Sequence, residues 1–143
     1  MNKLLYLFLL LVACGDYQAL VIPDKEFSPY LLEFSEDYGM DVTHYPIYFR
    51  QLDKNIAGVC LSGQGRNKIY IDPDWWSTYS SAIKRVVIYH ELGHCLLQRS
   101  HDDTLIVDSM GLVVPKSFMF PYVDARLAIP RNLEYYKNEL IGE

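Results

Sequence analysis

Between residues 77 and 99 the apolar positions recur with the period of an α-helix. Ile83, Val87, His90, His94 and Leu97 follow one another at intervals of four, three, four and three residues. This spacing places all five side chains on one stripe, which is expected to face the body of the protein. The pattern predicts a long helix with two histidines on its buried face.

Patterns elsewhere predict a mixture of helices and short strands. Residues 27–39, FSPYLLEFSEDYG, predict a helix capped by Ser28, and residues 130–142, PRNLEYYKNELIG, predict a final helix. Three segments rich in aromatic and branched residues predict strands: HYPIYFRQL, IAGVCLSG and NKIYIDP. The segment VVPKSFMFPY is expected to be a loop. We therefore expect an α+β domain, with a short mixed sheet packed on the long helix.

The first fourteen residues differ from the rest of the chain. MNK gives a positive start, the ten apolar residues LLYLFLLLVA follow, and Cys14 comes next. The apolar run is shorter than the roughly 20 residues of a membrane-spanning helix and fits an export signal. Its ending, LVAC, resembles the lipobox of bacterial lipoproteins, in which the cysteine carries a lipid; an ordinary signal peptide is the alternative.

The lipobox resemblance implies a division of the chain into three parts. We expect a signal peptide at residues 1–13, a tether at 14–26 and a folded domain at 27–143. The lipid on Cys14 would anchor the protein to a membrane of the cell envelope. Gly15, rather than aspartate, follows the cysteine, which favours the outer membrane if the host has one.

Composition narrows the classes of function. Half of the residues are apolar, 14% are aromatic and the formal net charge is −5, which is typical of a globular domain. No basic run alternates with aromatic residues, so nucleic acid is not expected as a partner.

The histidines of the long helix have the spacing of metal ligands. His90 and His94 lie four residues apart, so their rings project from one face and can bind one Zn²⁺. Glu91 is rotated by roughly 100° around the helix. Its carboxylate is therefore better placed to accept a proton from a water on the metal than to bind the metal. A buried histidine pair satisfied by tyrosine or backbone groups is the non-catalytic alternative.

A catalytic zinc site needs a third protein ligand and a free position for water. His101 lies beyond the predicted helix end and is the first candidate. Asp102 and Asp103 compete with it, and a carboxylate of the last helix, Glu134 or Glu139, is a further alternative.

The segment HELGHCLLQRSH resembles the zinc-binding helix of the metzincin metallopeptidases. More narrowly, residues 60–122 resemble small bacterial and phage metallopeptidase-like proteins with HELGHC, a nearby His-Asp pair and a P-K-S-x-M turn. The resemblance implies zinc ligands at His90, His94 and His101, with Glu91 as catalytic base. It also implies a methionine floor beneath the metal, for which Met119 in PKSFMFPY is the first candidate and Met110 the second.

The chain departs from the metzincin pattern at three points. The third histidine of the family comes ten positions after the first, where this chain has Ser100. The glycine that lets the family's chain leave the helix is replaced by Leu97. The tyrosine found two residues after the methionine is replaced by Pro121. Tyr122 is the nearest candidate donor to an oxyanion, but the alternative role, packing in the core, is the favoured one for this residue.

The resemblance also bears on the cysteines and on the cleft. Cys95 lies one helical turn after Glu91, on the side that in metzincins faces the small sheet. A bridge from Cys95 to Cys60 would tie helix to sheet, and export would allow it to persist; Cys95 as a metal ligand is the rival. The strand KIYIDPDWW is expected to form the sheet edge that pairs with an extended peptide.

These features predict a lipid-anchored, zinc-dependent endopeptidase that acts on peptide or protein substrates. The alternative is a zinc-binding surface lipoprotein without turnover, which acts in binding or assembly.

Overall fold

The structure, a computed structural model, describes residues 24–63 and 67–142. The predicted signal peptide, Cys14 and most of the predicted tether lie outside the described residues. The four α-helices of the described part are α1 (Ser28–Tyr38), α2 (Pro73–Thr78), α3 (Ser81–Cys95) and α4 (Leu133–Ile141). The five strands are β1 (Ile47–Phe49), β2 (Gly58–Leu61), β3 (Lys68–Ile71), β4 (Leu105–Val107) and β5 (Val113–Pro115). Helix and strand are mixed with small sheets, so the fold is α+β.

The three strands predicted before the long helix form one sheet, in the order β1–β3–β2. β1 runs parallel to β3, and β2 runs antiparallel to it, so the sheet is mixed. Ile47, Ile69 and Ile71 are fully buried, because alternate residues of a strand share one face. β3 is the central strand, which corrects the expectation that its segment forms the edge; β1 and β2 are the two edge strands.

The segment 77–99, predicted as one helix, contains the last two residues of α2 and the whole of α3. α2 ends at Thr78, Tyr79 is extended and Ser80 is the N-cap of α3. The hydroxyls of Ser77 and Thr78 both donate to the carbonyl of Asp74, and such local bonds compete with helix continuation. α3 also ends earlier than expected, at Cys95.

α3 is the central element of the fold. Most of its residues between Ile83 and Cys95 are buried, because α1, the sheet and the segment after β5 all pack around it. The buried core is formed mainly by aromatic and branched side chains, among them Phe27, Leu31, Phe34, Ile88, Tyr89, Leu92, Phe118 and Tyr136.

The two outer helices differ slightly from their predicted bounds. Phe27, not Ser28, is the N-cap of α1, and no side chain caps it. Gly39 ends α1 with φ of 64°, a left-handed conformation that glycine adopts without steric cost. The last helix starts at Leu133, after a 3₁₀ turn at Pro130–Asn132.

Two features of the fold were not predicted. β4 and β5 form an antiparallel hairpin, so Val113–Pro115 is a strand and not a loop. Glu26, assigned to the tether, belongs to the folded part, because its carboxylate accepts a hydrogen bond from the Trp76 indole at 2.8 Å. Within residues 24–63 and 67–142, no helix combines the length and apolar character needed to cross a bilayer.

Candidate metal centre

α3 presents two of the three clustered histidines from its last two turns. The Nε2 atoms of His90 and His94 lie 3.1 Å apart, and the Nε2 atom of His101 lies 3.2 Å from that of His90. One ligand atom from each residue lies within 4.8 Å of the other two. The three residues together can hold a metal ion.

Backbone carbonyls select the tautomer of the two helical histidines, that is, which ring nitrogen carries the proton. His90 Nδ1 lies 2.8 Å from the carbonyl oxygen of Phe118, and His94 Nδ1 lies 2.6 Å from that of Arg99. A carbonyl oxygen only accepts hydrogen bonds, so each Nδ1 carries the proton and each neutral ring leaves a lone pair on Nε2. Carbonyl partners of this kind orient histidine ligands in metal sites.

His101 reaches the cluster because the chain reverses just after α3. Gln98 has φ of 54°, and the N–H of Arg99 donates back to the carbonyl of Gly93 at 3.0 Å. The N–H of Asp102 then donates to the carbonyl of Met119 at 2.9 Å. The loop that carries His101 is therefore held on both sides.

This turn accounts for the unusual spacing of the third histidine. The resemblance places a glycine seven residues after the first histidine and a third histidine ten residues after it. In this chain the left-handed residue is Gln98 and the third histidine is His101, so both come one position later. Relative to that pattern, one extra residue lies between the helix and the turn. Leu97 therefore stands where the pattern has glycine, and Ser100 stands where it has the third histidine.

Two of the competing carboxylates, those of Asp102 and Glu139, are engaged elsewhere, and Asp103 is exposed. Asp102 accepts hydrogen bonds from the Thr104 N–H and from Lys116, and Glu139 pairs with Arg99. Glu134 is 82% exposed on α4. Among the described residues, the metal-type cluster contains only the three histidines.

Burial shifts the pKa values of the two central groups in opposite directions. Burial lowers the pKa of His90 to about 4, with further lowering from His94 and His101. Burial raises the pKa of Glu91 to about 8, and the backbone N–H of Cys60 partly offsets this rise. Each shift favours the neutral form, as expected for groups removed from water. A neutral imidazole is the form that binds a metal, and a nearby cation would lower the pKa of Glu91 again.

Glu91 lies between α3 and the edge strand, and it is 5% exposed. A Cβ atom built on Gly58 of β2 would lie 3.0 Å from both Cγ and Oε1 of Glu91. Glycine at this position makes room for the carboxyl group. No pattern in the sequence indicates this role, because the contact joins two segments that are far apart in the chain.

Met119 packs against α3 at Gly93 and is fully buried. Its sulfur occupies the space that a side chain at Gly93 would need, since a Cβ atom there would lie 2.5 Å from it. The adjacent carbonyl, that of Phe118, is the acceptor for His90. Met110 is 70% exposed, in the turn between β4 and β5, so it does not form a floor.

A cleft of about 1090 Å³ opens in front of the histidines and Glu91. Residues 55–60, which include most of β2, line one side, and residues 120–123 line another. Tyr122 is on this second wall and is 72% exposed, so the alternative of a core role was wrong. Trp75 and Tyr79 stack at 4.4 Å and also line the cleft, whereas Trp76 is buried in the core.

Cys60 and Cys95 form a disulfide, with a Cα–Cα distance of 5.6 Å. The bond links β2 to the last residue of α3, one turn beyond Glu91. Cys95 is therefore not a metal ligand. The carbonyl of Cys95 also accepts a hydrogen bond from the Asn67 side chain at 2.8 Å, which adds a second link between helix and sheet.

No protein-family model, curated protein or solved structure matches this chain. The residues and geometry of the site are therefore the basis on which its function is inferred.

Proposed function

We propose that this protein is a zinc-dependent endopeptidase whose metal is held by His90, His94 and His101 and whose catalytic base is Glu91. The observation that carries the proposal is the convergence of three imidazole nitrogens beside a buried carboxylate, at the bottom of an open cleft. The metzincin resemblance of the segment HELGHCLLQRSH supports the same assignment.

The hydrogen bonds of the histidines favour a bound cation. His90 and His94 each donate from Nδ1, so when both rings are neutral their Nε2 atoms are two acceptors 3.1 Å apart. Two lone pairs at that distance repel each other unless a positive charge lies between them. A metal ion supplies that charge without protonation of either ring.

The donor set fits zinc. Zn²⁺ binds histidine nitrogens at about 2.0–2.1 Å with tetrahedral geometry, so two such nitrogens lie about 3.3 Å apart. The observed Nε2 separations are 3.1 and 3.2 Å. Within residues 24–63 and 67–142 no fourth metal-binding side chain joins the three histidines, and a set of three histidines corresponds to a catalytic rather than a structural zinc site.

Zinc at this position would act as a Lewis acid toward a water molecule and the substrate carbonyl. The Glu91 carboxylate accepts a proton from the attacking water and then delivers it to the leaving amine nitrogen. Burial of Glu91 against β2 strengthens the carboxylate as a base. A cation held by the histidines would favour its ionised form, in which it can accept a proton. Tyr122, on the open wall of the cleft, is the candidate side-chain donor to the developing oxyanion.

The edge strand supplies a surface for an extended peptide. In the register of β2 with β3, Val59 and Leu61 pair with Tyr70 and Lys68. The Ile69 N–H and the Ile71 carbonyl instead form their hydrogen bonds on the opposite side of β3, where β1 lies. The main-chain groups of Gly58 and Cys60 therefore point away from the sheet, toward the cleft, where a peptide can add as a further strand.

The proposed location of the enzyme rests on the lipobox resemblance of the sequence. A lipid on Cys14 would anchor the protein to a cell-envelope membrane, and the Cys60–Cys95 disulfide suits an oxidising compartment of this kind. The substrate would then be a peptide or protein of the envelope or its surroundings.

The decisive experiment compares the full-length wild type with Glu91→Gln. Zinc content is measured by mass spectrometry, and hydrolysis is measured on a library of quenched fluorescent peptides. We expect one zinc per chain in both proteins and a loss of hydrolysis of about 10²–10⁴-fold in Glu91→Gln. Glu134→Gln, which alters an exposed carboxyl group on α4, is the matched control and should keep full activity.

Two results would contradict the proposal in different ways. Equal hydrolysis in wild type and Glu91→Gln would assign the activity to a contaminant or to another base. Stoichiometric zinc without hydrolysis of any peptide would favour the alternative, a zinc-binding surface protein without turnover.

A further inference from the structure

The carboxyl group of Glu91 is in contact with one short stretch of the edge strand. Gly58 approaches it so closely that an added Cβ atom would lie 3.0 Å from Glu91 Oε1. Cys60 follows two residues later in the same strand. β2 therefore forms one wall around the Glu91 side chain, with glycine where the wall is closest.

The disulfide holds this wall against the helix. Gly58 and Cys60 lie on the same face of β2, because side chains two apart in a strand point the same way. The Cys60 sulfur is bonded to Cys95, one helical turn beyond Glu91. β2 is an edge strand with only β3 beside it, so the bond opposes movement of β2 away from α3.

We propose that β2 and the Cys60–Cys95 disulfide form a positioning device for the Glu91 carboxylate, in which Gly58 and Cys60 are positioning residues. This inference rests on the proposed peptidase function and extends it to residues outside the metal site. Gly58 leaves space for the carboxyl group, and the disulfide of Cys60 fixes the distance between strand and helix. The device is separate from metal binding, since none of the three histidines contacts β2 through a hydrogen bond among the described residues.

Gly58→Ala tests the wall directly. The new methyl group must displace Glu91 or the side chain of Ile71, whose Cδ1 also lies 3.0 Å away. Displacement of a catalytic group by about 1 Å can cost about 10²-fold in rate. We expect kcat to fall roughly 10- to 100-fold, with KM and zinc content little changed, since the outer main-chain groups of β2 and the histidines are retained.

Gly63→Ala is the matched control. It makes the same chemical change shortly after β2, and nothing lies within 4 Å of the added Cβ atom. Its kcat, KM and zinc content should equal those of the wild type. A loss of kcat as large as that of Gly58→Ala would show that replacement of a glycine in this region lowers kcat without displacing Glu91. That result would overturn the proposal.

The double variant Cys60→Ala/Cys95→Ala tests the disulfide. We expect it to keep one zinc per chain and to lose kcat. In parallel, ¹³C-glutamate NMR of the zinc-loaded proteins reports on Glu91, whose carboxyl signal is assigned by its absence in Glu91→Gln. Its chemical shift should change in both Gly58→Ala and the double variant, whereas the signal of Glu134 should not.

The NMR readout separates this inference from the proposed function. If the wild type hydrolyses no peptide but the Glu91 signal still moves in these variants, the peptidase assignment fails and the positioning role stands. If both the Glu91 signal and kcat equal the wild-type values in zinc-loaded Gly58→Ala, β2 does not position this group. The same conclusion follows if the double variant matches the wild type in both measurements.

Discussion

Met119 packs directly against Gly93, so closely that a Cβ atom on the glycine would lie 2.5 Å from the methionine sulfur. Gly93 is the residue just before His94, and Met119 follows Phe118, whose carbonyl accepts the hydrogen bond of His90. The contact therefore sets the distance between the helix that carries two of the histidines and the segment that orients one of them.

Gly93→Ala should destabilise the protein although alanine is the better helix former. Helix propensity alone would add about 1 kcal/mol of stability, but overpacking against Met119 and Leu140 should cost about 1–3 kcal/mol net. Urea unfolding monitored by circular dichroism measures the change. In Gly93→Ala/Met119→Ala the two effects should not add, because truncation of Met119 relieves the clash. Additive effects would contradict the contact.

His101→Ala should weaken zinc binding much more than replacement of its acidic neighbours. Loss of one of three ligands should lower the affinity by more than the roughly 10–100-fold typical of outer partners. Asp103→Ala, which removes a carboxylate two residues away, should bind zinc like the wild type. Competition with a fluorescent chelator measures both affinities. If Asp103→Ala lost as much affinity as His101→Ala, the third ligand would be assigned wrongly.

In metal-free protein, Glu91→Gln should raise stability at pH 8 but not at pH 4. The folded-state pKa of Glu91 is raised to about 8, whereas the unfolded value is near 4.3. Between these values the folded state holds a proton on Glu91 that the unfolded state has released, so Glu91 contributes less to wild-type stability as pH rises. The advantage of Glu91→Gln should grow by about 1.4 kcal/mol per pH unit within that interval. Urea unfolding in the presence of a chelator at pH 4, 6 and 8 tests this, and a constant difference would refute it.

In metal-free Glu91→Gln, where the opposite effect of Glu91 is absent, stability should fall on acidification because of His90. Its pKa is lowered to about 4 in the folded state, so between pH 6.5 and 4 the unfolded state binds more protons and stability falls as pH falls. Zinc should oppose this loss until protons displace it from the imidazoles. Thermal unfolding with and without zinc across this range measures the effect. Removal of the imidazole by His90→Gln in the same Glu91→Gln background is the control: it should lose less stability over this range, and an equal loss would contradict the prediction.

Arg99 links the loop of the third histidine to the end of α4, and Arg99→Ala should break that link. Its guanidinium donates to the carbonyls of Glu139 and Leu140 at 2.8 and 2.7 Å, and it pairs with the Glu139 carboxylate. Loss of the arginine would leave Glu139 largely buried without a counter-charge, at a cost of about 3 kcal/mol. Arg99→Ala/Glu139→Ala should recover part of this stability. No recovery would show that the pair is not the source of the loss.

The sequence predicted the mixture of elements well where the pattern was local. Three strands, the central helix and the terminal glycines of α1 and α4 follow from periodicity and from residues that cap or end helices. The break at Tyr79 and Ser80 was missed, because side-chain bonds to the Asp74 carbonyl outweigh helical periodicity there. The β4–β5 hairpin was missed because its short strands carry exposed apolar residues, Leu105, Val107 and Val113, instead of a clear alternation.

The candidate site divides in the same way. His90, Glu91 and His94 could be identified from spacing, because a helix fixes the relative directions of residues one turn apart. The sequence left the third ligand open among His101 and several carboxylates, because its position depends on how the chain turns at Gln98. No local pattern in the sequence indicates that β2 lies at an edge of the sheet and β3 at its centre. The same is true of the roles of Gly58 and of the Phe118 carbonyl.

The sequence by itself determined which residue types could carry metal chemistry and which face of one helix presents two of them. Only the tertiary structure decided that His101 joins them, that Met119 fills the space left by Gly93, and that Cys60 reaches Cys95. The physical reason is that helix geometry is set by neighbours within one turn, whereas these contacts join segments up to 35 residues apart. Such contacts form only when burial of the shared core brings those segments together.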